Sequence, residues 1–240
     1  CRLLEAEHEC GIKNIVRYMR IHLKTTPNDS LVTFDYQQKL VGILHKWLGS
    51  NNEEHGTLSL YSFSWLHHGK KIENGLTFSE GATWFISFYN ESRIKQIVKN
   101  ILDNPVMFFG MAVSDVIIEE TPDLSNRNFF YLGSPIFIKS SDLKFQVTKQ
   151  YTFNDEEANG LMVHTLHHKM ELAGLPYDES LDIRFDLDYQ NKKTKMLKYR
   201  GIYNRANLCP VIIEGKPETK AFAWNVGIGN STGIGFGSIY

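Results

Sequence analysis

The order in which strand-like and helix-like patterns follow one another constrains the fold of this chain more than any other sequence feature. Apolar and polar residues alternate from Met19 to Thr25, as in a half-buried strand. Residues 35–48 and 92–103 carry apolar side chains at helical spacing, and Pro105 ends the second of these segments. Further strand-like segments are residues 58–66, 82–89 and 111–119. The first half therefore predicts strand, helix, strand, strand, helix, strand, which is the ferredoxin-like order.

The same order of elements recurs in the second half without a repeat of sequence. Strands are predicted over residues 134–139, 181–189, 208–214 and 234–240, and helices over residues 155–173 and 217–226. The predicted fold class is α+β, with two tandem ferredoxin-like (RRM-like) domains. The predicted boundaries are an N-terminal extension of unassigned fold (1–18), a first domain (19–121), a linker (122–133) and a second domain (134–240).

Composition excludes several classes of protein. No apolar run reaches the roughly 18–20 residues that a membrane-spanning helix needs. The three cysteines have no paired spacing, which argues against a disulfide framework or a cysteine zinc site and favours a cytoplasmic protein. The net charge is −1. Any nucleic-acid site must therefore be a local patch of basic residues, because the total charge offers no attraction to phosphate.

Five glycines crowd the C-terminus. Glycine lets backbone N–H groups approach an anion closely, and consecutive N–H groups can form an anion-binding concavity. A flexible or tightly turned chain end is the alternative interpretation. A nucleotide-binding fingerprint does not fit, because the third glycine comes one residue late and no P-loop lysine is present. The glycines are Gly227, Gly229, Gly233, Gly235 and Gly237.

A second local patch is basic and aromatic. Within ten residues the chain places four lysines and Arg200, flanked by Tyr189 and accompanied by Tyr199. Basic side chains interleaved with rings suit contact with RNA phosphates and bases. A solvated hairpin explains the same pattern, and the sequence leaves both interpretations open. The lysines are Lys192, Lys193, Lys195 and Lys198.

The segment from Gly227-x-Gly229 to Gly233-x-Gly235-Phe236-Gly237 resembles the C-terminal glycine-rich loop of the CRISPR-associated protein six family, whose members process CRISPR repeat RNA. Four segments before the loop match the family more weakly and in the same order. They are Met19-Arg-Ile-His-Leu, Leu60-Tyr-Ser-Phe-Ser, Ser134-Pro-Ile and Cys209-Pro-Val-Ile-Ile. The resemblance implies tandem ferredoxin-like domains that bind RNA in the cleft between them. It also implies that the loop contacts RNA, through Gly227, Gly229, Asn230, Ser231, Gly233 and Gly235.

The resemblance further implies catalysis without a metal or cofactor. In that reaction an RNA 2′-OH attacks the adjacent phosphate and leaves 5′-OH and 2′,3′-cyclic phosphate ends. The family places its general acid and base on the first helix and before the second strand, where this chain has His45 and His55. Ser59 stands about where some members have a lysine, so a two-histidine site is expected. Lys46, Lys70 and Lys71 are candidates for a supporting charge.

Other histidines have less specific interpretations. His67 and His68 are expected to belong to a turn. Three more occur at i, i+3 and i+4 on one predicted helix, but without the glutamate of a zinc motif they predict a polar helix face and no metal site. They are His164, His167 and His168.

Two further functions compete with a nuclease. A non-catalytic RNA-binding module of the same fold within a CRISPR effector complex is one, and a structural adaptor without RNA is the other. The expected partner is CRISPR repeat RNA, and the expected assembly is a monomer or homodimer.

Overall fold

The structure is a computed structural model that describes residues 19–49, 58–142 and 147–240. For residues 141, 142 and 147 it describes the backbone only. The first half forms a four-stranded antiparallel sheet of order β2-β5-β1-β6, the order of a ferredoxin-like domain. The hairpin β3–β4 is an addition to that plan. The elements are β1 (Met19–Thr25), α1 (Gln37–Leu48), β2 (Tyr61–Phe63), β3 (Lys70–Ile72), β4 (Gly75–Thr77), β5 (Thr83–Phe88), α2 (Glu91–Asp103) and β6 (Val113–Glu120).

Alternation along β1 sets the two faces of this sheet. Ile21 and Leu23 are fully buried in the same core as the apolar stripes of α1 and α2. Both helical stripes lie where the sequence predicts them, and the Asn90 side chain caps α2 by accepting a hydrogen bond from Ser92 N (2.9 Å). Arg20 and His22 belong to the opposite face, which is turned toward the second half of the chain.

The second half repeats this order with two added hairpins. Its sheet has the order β10-β13-β7, and mutual backbone hydrogen bonds between Tyr131 and Tyr240 continue it to the C-terminus. The fold is therefore α+β with two tandem ferredoxin-like domains, as predicted. The elements are β7 (Phe129–Phe130), β8 (Ile138–Asp142), β9 (Val147–Tyr151), α3 (Glu157–Leu172), β10 (Asp182–Phe185), β11 (Lys193–Tyr199), β12 (Ile202–Leu208), β13 (Val211–Glu214) and α4 (Pro217–Val226).

The first strand of the second sheet differs from the prediction. It is β7, which lies inside the segment 122–133 expected to be a linker, and it pairs with β13 through Phe130 and Val211. Residues 134–139 were predicted as this strand, but they lead into the hairpin β8–β9. The run Phe129-Phe130-Tyr131-Leu132 follows polar residues so closely that its apolar character is easily assigned to the end of a linker.

The last predicted strand, residues 234–240, is also different. Residues Thr232–Ile234 form a short 3-10 helix, and only Ile239 makes a β-bridge, to Leu132. Gly235 and Gly237 have φ values of 89° and 66°, which an extended strand cannot contain. No helix in the described part of the chain is long and apolar enough to cross a membrane.

Candidate RNA-binding site

The glycine-rich loop, residues 227–237, rests against the first domain. Three side chains of that domain donate hydrogen bonds to consecutive loop carbonyls: Tyr61 OH to Gly233 O (3.0 Å), Gln37 Nε2 to Ile234 O (2.6 Å) and Trp65 Nε1 to Gly235 O (3.1 Å). These donors belong to the start of α1, to β2 and to the residues just after β2. The loop is therefore part of the junction between the two halves.

Close packing within the protein accounts for several of the glycines. A Cβ at Gly233 would overlap the Ser59 hydroxyl, and one at Gly235 would crowd the Phe63 ring. Gly227 and Gly229 have positive φ and closely approach backbone carbonyls. Gly233 and Gly235 are therefore needed where the loop meets the first domain, a role that sequence reasoning did not assign to them, whereas Gly229 is needed for packing within the second half.

The loop N–H groups divide into two sets. Six donate to backbone carbonyls of the protein, those of Gly227, Ile228, Asn230, Ile234, Gly235 and Gly237. By contrast, within the described ranges five make no backbone hydrogen bond: those of Gly229 and Phe236, and the three consecutive groups of Ser231, Thr232 and Gly233. Ser231 is half-buried and left-handed (φ 62°). Thr232 and Gly233 are buried, so Ser231 is the residue of the three whose N–H group is most accessible to an anion.

A buried lysine, Lys169, donates hydrogen bonds to both ends of this part of the loop. It was not singled out from the sequence. Lys169 Nζ donates to Val226 O (3.0 Å), Gly227 O (3.2 Å) and Thr232 Oγ1 (3.1 Å). Burial lowers the pKa of Lys169 to about 7. The available signal was its position in the apolar stripe of α3, beside Leu166. Lys169 thus joins the end of α4 to the start of the 3-10 helix.

The basic patch is a hairpin, β11–β12, that packs against the loop. Leu197 of β11 shares a small core with Phe137 and Phe236, and Lys195 Nζ lies 5.0 Å from the centre of the Trp65 ring. Burial lowers the pKa of Lys195, with a smaller contribution in the same direction from Lys193. The hairpin therefore brings Lys195 beside the loop.

Lys195 and Lys198 both line a cavity next to the first domain. Lys192 and Lys193 lie at the other end of the hairpin, near Leu208, and do not line that cavity. The four lysines thus divide into two pairs, and only the pair Lys195 and Lys198 lines the cavity.

His45 is half-buried in the last turn of α1, whereas Leu40 and Leu44 of the same helix are fully buried. It lies eight residues after Gln37, which corresponds to about 12 Å along the helix axis. His55 lies outside the described residues. The described chain resumes at Leu58, and the next residue, Ser59, meets Gly233.

The three lysines that are candidates for a supporting charge in catalysis lie in different parts of the first domain. Lys46 Nζ is bound to Asn104 Oδ1 (2.8 Å) and Val106 O (2.9 Å), in the turn after α2. Lys70 lines a cavity with Lys24 on the sheet face opposite to α1. Lys71, next to it on β3, is exposed.

Arg20 fastens the two domains together on that opposite face. Its guanidinium donates to Trp224 O (2.7 Å), Ile239 O (2.8 Å) and Ser87 Oγ (2.7 Å). It also stacks between the rings of Trp224 and Phe85, at 3.3 and 4.0 Å from their centres. Desolvation lowers the pKa of Arg20, opposed by the charge of Glu119. Arg20 was not singled out from the sequence.

The other histidines in the described part of the chain form two groups. His22, His67 and His68 line a cavity of about 330 Å³ between the domains, and burial is the main cause of a lowered pKa at His67. On α3, His167 stacks on Tyr177, with ring centres 4.0 Å apart. Within the described residues no group of three or more His, Cys, Asp or Glu side chains could hold a metal ion.

Comparison with known proteins supports the sequence resemblance. The family model described as CRISPR associated protein Cas6, C-terminal, matches residues 119–240, slightly more than half of the chain. A protein of Pyrococcus furiosus is 24% identical over 242 residues, which are 92% of this chain and 98% of the relative. It is described, provisionally, as a CRISPR-associated endoribonuclease-like protein Cas6. A Cas6nc protein of Pyrococcus horikoshii with a similar description is 25% identical over 169 residues, covering 67% of this chain and 69% of that protein.

Solved structures show the same fold. The product of a Cas6-related gene from Pyrococcus furiosus superimposes with a TM-score of 0.80 at 23% identity, over 93% of this chain and 98% of that one. A protein described as a RAMP protein binding different RNA substrates gives 0.79 at 22% identity, over 92% and 98%. The match to the family model, together with this fold, shows that the chain is a member of the CRISPR associated protein Cas6 family.

Proposed function

We propose that this chain is a metal-independent endoribonuclease that cleaves CRISPR repeat RNA and so releases guide RNAs. The observation that carries the proposal is the contact of the glycine-rich loop with both elements that flank residues 50–57. Gln37 of α1 binds Ile234, while Ser59 and Tyr61 lie against Gly233. The loop is therefore bonded directly to the helix that carries His45, at the N-terminal end of that helix.

The descriptions of related proteins support RNA as the substrate. A curated relative is described as endoribonuclease-like, and a structural neighbour is described as binding different RNA substrates. In this chain the phosphate would be held at the N–H group of Ser231, with the buried Thr232 and Gly233 positioning that turn. Lys195 and Lys198 would neutralise the flanking backbone. The role of Gly227, Gly229, Asn230 and Gly235 would be to set the shape of the loop, and not to contact the nucleotides directly.

The reaction needs two proton transfers and no protein nucleophile. The 2′-oxygen forms a bond to the adjacent phosphorus while the bond from phosphorus to O5′ breaks. One histidine accepts the proton of the 2′-OH, and the other donates a proton to the leaving O5′. His45 and His55 are assigned to these steps as a pair. The products are a 2′,3′-cyclic phosphate and a 5′-OH.

An assay in the presence of EDTA tests the proposal. The full chain is incubated with the repeat RNA of its host and with a scrambled RNA of equal length, and both cleavage and binding are measured. Cleavage at one site of the repeat RNA only is the expected result. Binding without cleavage would instead make the chain a non-catalytic RNA-binding module. Failure to bind would favour a structural adaptor.

A further inference from the structure

A small cavity lies where β11 passes the N-terminal end of α1. It measures about 180 Å³ and is lined, among others, by Phe34, Asp35, Gln37, Trp65, Lys195 and Lys198. We propose that this cavity binds one unpaired nucleotide of the RNA, at a subsite separate from the histidine pair. The inference rests on the proposed function, because it presumes that RNA is the ligand.

The rings in the cavity wall suit a nucleobase. Phe34 is 48% exposed although it is a large apolar side chain, and Trp65 is half-buried with its Nε1 held by Gly235 O. Base stacking on such rings tolerates any base, because every base has a π-face. A ring that faces solvent beside a fixed tryptophan is therefore available to a nucleotide.

The charges in the wall orient that nucleotide. Two lysines, Lys195 and Lys198, lie on the β11 side, where they can neutralise a phosphate. Asp35, the only carboxylate among the described residues of the lining, repels phosphate but accepts hydrogen bonds from base amino groups. We therefore expect the base to point toward Asp35 and the phosphate toward the lysines.

The size of the cavity limits its contents to about one base, so a single nucleotide enters with its sugar and phosphate outside. The cavity is smaller than the roughly 300–1,000 Å³ typical of pockets for drug-sized molecules. Gln37, in its wall, precedes His45 by about 12 Å along α1. A nucleotide bound here would be a near neighbour of the cleaved phosphate rather than the reacting residue itself. It would help to fix the register of the RNA.

An abasic scan tests this subsite. Repeat RNAs with one abasic nucleotide at each successive position are bound to the wild-type chain and to Phe34→Ala, with a 2′-deoxy nucleotide at the cleavage site to keep them intact. One abasic position is expected to weaken wild-type binding roughly tenfold to hundredfold. In Phe34→Ala the same abasic change should cost less than about threefold, because the stacking surface is already lost. Tyr177→Ala, which removes another exposed ring, should leave the wild-type pattern intact.

A salt titration of a second variant tests the phosphate contact of the subsite independently. Lys198→Ala should reduce the slope of log K against log salt by about 0.7, the value for one phosphate contact on a single strand. Lys95→Ala removes an exposed charge on α2 and should not change the slope. If RNA is bound but every abasic penalty persists in Phe34→Ala, the subsite is refuted while the proposed function stands. Loss of all RNA binding by the wild-type chain would refute both.

Discussion

Replacement of His45 by alanine is expected to slow cleavage of repeat RNA by roughly 10²–10⁴-fold under single-turnover conditions, with RNA affinity nearly unchanged. The physical reason is that proton transfer contributes to the transition state and not to ground-state binding. His45 is half-buried beside a fully buried stripe of the same helix. The helix therefore fixes the position of its backbone, while the side chain remains partly accessible to solvent.

A matched control separates this effect from general damage. His164 is an exposed histidine in the middle of α3, and His164→Ala should cleave at the wild-type rate. Thermal unfolding of both variants establishes that each is folded. A wild-type rate in His45→Ala would remove His45 from the mechanism, whatever the behaviour of His55.

Arg20→Met is expected to lower the free energy of unfolding by about 3–5 kcal/mol, because hydrogen bonds from a charged donor contribute about 1.5–3 kcal/mol each and some of that is offset by relief of desolvation. The substitution leaves the carbonyls of Trp224 and Ile239 and the hydroxyl of Ser87 without this donor. For a chain of this size the melting temperature should fall by about 6–20 °C.

Two further substitutions calibrate that result. Arg20→Lys keeps the charge but loses the planar fork that reaches two carbonyls while stacking on a ring, so an intermediate loss is expected. Arg93→Met removes a partly exposed arginine of α2 whose side chain bonds only Gln96 of the same helix among the described residues, and it should change stability by less than about 0.5 kcal/mol. An Arg20→Met protein within about 1 kcal/mol of wild type would show that the domain junction does not depend on this side chain.

The fold was largely predictable because its long elements carry a clear apolar period. Met19–Thr25 and Pro217–Val226 match the predicted bounds, and α2 begins one residue before its predicted start. The short strand β7 was not predictable, because a strand of two residues directly after a polar segment carries no period. The glycines near the C-terminus were noticed, but their positive φ values prevent the closing strand that the pattern suggested.

The candidate site was predictable only in part. Glycines and clustered lysines are visible as local motifs, and the structure places Lys195 and Lys198 in the wall of one cavity with Trp65, which binds the loop. Arg20 and Lys169 were missed because their partners lie about 200 and 60 residues away in the chain. For Lys169 the sequence signal is a charged residue within an apolar stripe, which does not reveal the partner, whereas Arg20 occupies a polar position of an alternating strand and gives no such signal.

The reaction proposed for this chain depends on the ribose of the RNA supplying the nucleophile. A repeat RNA with a single 2′-deoxy nucleotide directly 5′ of the scissile phosphate tests that dependence, with cleavage measured against the all-ribose RNA in EDTA. The account predicts that the modified RNA binds with similar affinity and remains uncut. Cleavage of the 2′-deoxy RNA at the same phosphate would contradict it, because another nucleophile would then be attacking.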